Sequence, residues 1–262
     1  MKFNLLYNIE LILLCLCMAS CQKDTDLDAG THVLPPHTYP VEVALTDTVG
    51  GSVRAVEHAD GKRTFWSDGD KIGVKLSGGG NDAEGINILT ADGSASYTSV
   101  FWTTAQKSTV SAWYPAQETP ISLQDQQRNL AIVLKSVPIE TNYREGPLSL
   151  VFKHQLAKVR ITLKGTFSYL RHTQLSMWGY THCQFTHGAL APAGTKNYLP
   201  MRSMRNMQRT FEINIYPIKI KKGDPVLKLS FWIYEKICTS AIDVNLEPGY
   251  VYAFTLDFNR FE

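Results

Sequence analysis

One apolar stretch, "LSLVFKHQLAKVRITL" at 148–163, constrains the fold of this chain more than any other. Leu148, Leu150 and Phe152 fall on one face of an extended strand, with His154 next in phase. Past Leu156 the phase reverses. Ala157, Val159, Ile161 and Leu163 turn inward, while Lys158, Arg160, Thr162 and Lys164 turn out. Strand side chains repeat every two residues, so a slip of one exchanges the buried and solvated faces. A bulge or corner is therefore expected at His154–Leu156. His154 reads as the corner residue, its ring bonded to nearby backbone, because no His, Cys or Asp stands beside it at metal-ligand spacing.

The same period of two runs through the chain. "VEVALT" puts Val41, Val43 and Leu45 on one face, and "KIGVKL" does so with Ile72, Val74 and Leu76. "FEINI", "LKLSFWI" and "YVYAFTLDF" continue it, and the connections ("SDGD", "SGGGND", "TADGS", "KKGDP", "LEPG") are rich in Gly, Pro and Asp. Only "LQDQQRNL" at 123–130 offers a short helical turn. The expected class is all-β, built as sandwiches. "GTF" at 165–167 marks the boundary, giving a first sandwich domain at 39–165 and a second at 166–262.

Several function classes lose support. The net charge is +2, with 26 basic residues dispersed along the chain. Phosphate recognition calls for a basic stripe, so nucleic acid is not an expected partner. "KIKKGD" at 219–224 reads as a solvated hairpin tip. No nucleophile elbow, zinc-protease helix, P-loop, dinucleotide fingerprint or EF-hand is present, so no catalysis and no cofactor are expected. "SGGGNDAEG" at 77–85 lacks the Lys and Ser/Thr of a phosphate loop, and "SDGDKIGV" lacks the later ligands of a calcium loop. "THCQFTH" gathers His182, Cys183 and His187, but a strand sends 182 and 187 to opposite sides, so no metal site is expected there either.

The N-terminus reads as an export signal. Lys2 precedes an apolar run from Leu11 to Met18, and Ala19 and Ser20 lead to Cys21. The run is too short to span a bilayer comfortably. Its end resembles a bacterial lipobox, which implies a signal at 1–20 and diacylglycerol on Cys21. Residues 21–38, opening "CQKDTDLD", then form a polar, proline-bearing tether. Acyl chains contribute about 0.8 kcal/mol per buried CH₂, enough in pairs to hold a protein at a membrane. Cys183 and Cys238 remain in the mature chain, and nothing in the sequence places them in contact.

Four segments in order, "FWSDGDKIGV", "VSAWYPA", "LSLVFKHQLAKVRITL" and "LEPGYVYAFTL", resemble the fimbrillin (Mfa-like) family of Bacteroidales surface lipoproteins over residues 39–258. The resemblance implies two tandem transthyretin-like β-sandwich domains and a structural or adhesive subunit of a fimbria. It also implies outer-membrane export, a trypsin-like protease that cuts after an arginine, and other fimbrial subunits as partners by strand addition. A cut after Arg54, before Ala55, would release the lipid together with the Val41, Val43, Leu45 strand. Arg63 is the second choice, because "GKRTFW" lies close to the next motif. No further alternating segment follows "YVYAFTLDF" to serve as a donor strand, which implies a tip position. The alternative is a stationary outer-membrane lipoprotein that keeps Cys21 acylated and binds a glycan or host protein. Trp102, Trp113, Trp178 and Trp232 would then be the candidates for stacking on sugars.

Overall fold

A computed structural model describes residues 33–45, 56–57, 64–117, 120–165, 173–204, 209–231 and 234–257. Among these residues every regular element is a strand. Val, Ile, Tyr and Phe at alternate positions favour the pleated, half-buried surface, and the glycine turns separate one strand from the next.

The first half of the chain forms one core. Its main sheet contains β2 (Lys71–Gly78), β3 (Asn81–Leu89), β4 (Ala95–Thr98), β5 (Ser108–Tyr114), β6 (Leu134–Ser136) and β8 (Phe152–His154). Their order across the sheet is β8-β6-β5-β2-β3-β4. Ile72, Val74 and Leu76 are completely buried, as the alternation predicts. Facing them is a small second layer containing β1 (Val43–Ala44) and β7 (Leu148–Ser149).

The second core is a pair of sheets. One has β9 (Ala157–Lys164) between β12 (Thr210–Ile215) and β15 (Val251–Asp257). The other runs in the order β11 (Ala189–Pro200), β10 (Gln174–Thr186), β13 (Pro225–Phe231), β14 (Tyr234–Thr239). Ala157, Val159, Ile161 and Leu163 of β9 pack there with Leu175, Met177, Phe185, Ile213 and Leu229. Expected from sequence to close the first domain at 165, β9 has all its ladder partners, β12 and β15, in this second core.

The phase reversal is a corner between the two halves. β8 pairs with β6 of the first sheet, and three residues past His154 the chain starts β9 of the second. The backbone N–H of Gln155 donates to Val133 O at 2.8 Å, and that of Gly249 donates to Leu156 O at 3.0 Å. Gly249 has φ +77°, and a Cβ there would lie 3.1 Å from the His154 carbonyl oxygen, so the corner needs a glycine opposite it. Burial lowers the pKa of the His154 imidazole, favouring the neutral ring. His154→Ala is expected to cost about 1 kcal/mol in urea unfolding and to leave metal content unchanged. Metal lost on substitution would overturn the corner assignment.

Three local expectations are corrected. Residues 123–130 form turns rather than a helical turn. They lie beside β12, where the Gln126 side chain donates to Asn214 O at 2.7 Å and accepts from Asn214 N at 3.2 Å, taking the place of a strand neighbour. Lys158, expected in solvent, is only 5% exposed. "KIKKGD" is not a hairpin tip, because Lys219–Ile220 pairs with Val244–Asn245 while the chain goes on into β13 beside β10. Cys183 and Cys238 are free thiols of the second core, and burial pushes the Cys183 thiol up to about 12.

Candidate functional site: the slot of the first strand

Residues 33–45 run along the second layer, and at Glu42–Ala44 they have chain on both sides. On one side the segment runs antiparallel to residues 93–104, through bridges Val33↔Thr104, Pro40↔Phe101 and Ala44↔Ser94. On the other, β1 pairs in parallel with β7, Val43 opposite Leu148. The backbone bonds are regular. Leu34 N donates to Thr103 O, Trp102 N to Tyr39 O and Val41 N to Val100 O, each at 2.8 Å, and Leu148 N donates to Glu42 O at 2.9 Å.

Alternation buries one face of this strand. Val41, Val43 and Leu45 are 0, 1 and 4% exposed, against Ile72, Val74, Leu76 and Leu148. Burying each such side chain is worth roughly 1.5–3 kcal/mol. Each backbone bond adds a net of about 0.5–1.5 kcal/mol. The sum is comparable with the whole net stability of a domain, about 5–15 kcal/mol. Removing the strand without a replacement would therefore open the core.

The slot also has polar hooks that sequence reasoning missed. Asn87 of β3 is fully buried and its amide donates to Val41 O at 2.9 Å, while Thr98 Oγ1 donates to the same oxygen at 3.3 Å. A signal was available: Asn87 stands in the inward phase of "NDAEGINIL", where a polar residue must find a buried partner. Gly85 lets the slot wall approach, since a Cβ there would fall 2.3 Å from Ser99 Oγ and 2.9 Å from Val100 Cγ2.

Cys21, Arg54, Ala55 and Arg63 lie outside the described residues. The described chain stops at Leu45 before the expected cut and resumes after it at Val56–Glu57, which pairs antiparallel with Thr64–Phe65. Position 54 thus falls between two elements that belong to different pairings. Among the described residues no group of three His, Cys, Asp or Glu could hold a metal. Cys183 points into the core, His182 outward beside Thr181, and His187 sits in the β10–β11 turn against Glu84 and Trp113. Trp102 and Trp113 are core residues at 3 and 5% exposure, Trp178 is half-buried, and the Trp232 side chain lies outside the described residues.

The chain is thus a two-core β-sandwich protein whose first described strand is threaded between residues 93–104 and β7. The fimbrillin-like family model matches residues 54–262, and the chain belongs to that family. Membership of that family makes it a fimbrial-type structural protein of the cell surface, not an enzyme. The fold is similar to that of a candidate cell adhesion protein from Bacteroides ovatus, at TM-score 0.59 and 17% identity, covering 84% of this chain and 92% of that one. A second, from Bacteroides uniformis, gives TM-score 0.56 and 18% identity over 84% and 95%. Among curated proteins no significant match is found.

Proposed function

We propose that this chain is a subunit exported as a lipoprotein on Cys21 and activated by proteolysis after Arg54. In this reading it consists of two tandem transthyretin-like domains, with the break at the His154–Leu156 corner. A trypsin-like protease releases residues 21–54, freeing the subunit from the outer membrane and emptying the slot in one step. An extended segment of another fimbrial subunit then adds as a strand between residues 93–104 and β7. The carrying observation is the interior position of Val41, Val43 and Leu45: backbone on both sides and an apolar floor leave a full set of strand contacts for a newcomer. The Asn87 and Thr98 donors aimed at Val41 O would meet a backbone carbonyl of any incoming strand, since every strand offers one there.

Intact mass and N-terminal sequencing of the protein taken from native outer membranes test this. The expected result is a start at Ala55 with no lipid. A start at acylated Cys21 would overturn strand exchange and leave a stationary surface lipoprotein.

A further inference from the structure

We propose that the outer face of the β10–β11–β13 sheet carries a subsite for a sugar ring bearing a carboxylate, centred on Trp178. This holds whether or not the first strand is exchanged. Alternation along β10 sends Leu175, Met177, Cys183 and Phe185 into the core, which leaves Trp178 and Tyr180 on the opposite face. There they make an aromatic platform. Trp178 lies across from Tyr198 of β11 at 4.9 Å between ring centroids, and Tyr216 meets Tyr180 edge-on at 5.5 Å. Trp66, Trp102 and Trp113 close cores at 3–5% exposure, whereas Trp178 is only half-buried.

Beside Trp178 the chain from Ile218 to Pro225 leaves a cavity of about 160 Å³. A single water needs only about 10–15 Å³, so there is room for a small ring. The lining residues are Trp178, the apolar Ile218, Ile220 and Pro225, and the charged residues Lys196, Lys219 and Asp224. An aromatic face with a few converging polar groups is the pattern of a small-molecule site. It suits a pyranose in particular: the C–H face of the ring stacks on indole while its rim of hydroxyls meets the charged side chains. Two ammonium groups oppose one carboxylate here. Lys196 Nζ hangs 5.0 Å from the centroid of the Tyr180 ring, and Lys228 is already paired with Glu235 at 3.1 Å. The balance favours a saccharide that brings its own carboxylate; Asp224 Oδ2 already accepts from Lys221 N at 2.8 Å, which leaves Oδ1 to accept from its hydroxyls.

Uronic acids and sialic acids share that chemistry. Calorimetric titration of the full-length mature protein with trigalacturonic acid, 3′-sialyllactose and neutral maltotriose separates the sources. At least one acidic probe is expected to bind, and whichever binds identifies the source. Trp178→Ala should weaken it about tenfold. Should that variant fail to fold, Trp178→Phe and Lys219→Glu carry the same test, the latter removing the preference for acidic over neutral probe. No binding of either acidic probe at about 10 mM would overturn the proposal. So would equal affinity for maltotriose, or undiminished binding by a folded Trp178→Ala protein.

Discussion

Val43→Asp is expected to lower the stability of the uncut chain by roughly 4 kcal/mol or more, from the lost burial of valine and the cost of placing a carboxylate in an apolar floor. Val43 is 1% exposed, stands opposite Leu148 and belongs to the apolar cluster of Val41, Leu45, Ile72, Val74 and Leu76. With a urea dependence of about 1–3 kcal/mol per molar, the midpoint should fall by about 2 M or vanish. The same substitution should be silent once residues up to 54 have left and a foreign strand fills the slot. A complementation experiment makes the contrast sharper. The chain beginning at Ala55 should gain thermal stability when a synthetic peptide of residues 33–45 is added, and should not respond to the Val43→Asp peptide. Equal damage to cut and uncut protein, or indifference to both peptides, would show that the strand is never exchanged.

How much of this was legible follows from what alternation can and cannot encode. It marks which side chains of a strand are buried, so Ile72, Val74, Leu76 and the odd positions 157 to 163 were readable, as was the corner where the phase slips. It carries no information about partners. The slot is made by residues 93–104 and 148–149, up to about a hundred positions from the strand they hold, and one of those pairings is parallel. Nor does a glycine after a long strand say to which core the strand belongs: Gly165 follows β9, whose ladder partners are β12 and β15. Lys158 was misplaced because residues 123–131 lie beside β12, the neighbour of β9. There Asn214, its cross-strand partner, donates from Nδ2 to Ala131 O at 2.8 Å. The Trp178 platform was half visible. Its phase against Leu175 and Met177 places it outward, but the cavity depends on where Ile218–Pro225 passes.

Glu212→Gln should be the most damaging single change in the second core, costing about 3–5 kcal/mol. Glu212 of β12 is 1% exposed and serves three cations. Arg160 Nη2 of β9 lies 3.2 Å from Oε2, Arg202 bonds Oε1, and Lys158 stands one step along the same ladder. Burial alone would raise the pKa of this carboxyl. The Arg202 bond, the nearby Lys158 charge and Arg160 outweigh it and hold the pKa below the usual carboxylate value. Its contribution is therefore present above the unfolded carboxylate pKa, about 4.3, and is lost as pH falls through the lower folded value. Lys158 behaves oppositely at the alkaline end. Burial, against the pull of Glu212, brings its pKa down to about 8. The unfolded chain then holds that proton more firmly, so the Lys158 contribution to stability should rise from about pH 8 to about 10.5, by as much as about 3 kcal/mol. Because the raised Cys183 thiol makes stability fall above about pH 8.5, urea unfolding across this range should show Lys158→Met falling and the parent protein rising relative to it, while Glu212→Gln should lose the acid limb. If parent and Lys158→Met curves run parallel from pH 7 to 10.5, the ammonium is solvated and the buried charge cluster on this sheet does not exist.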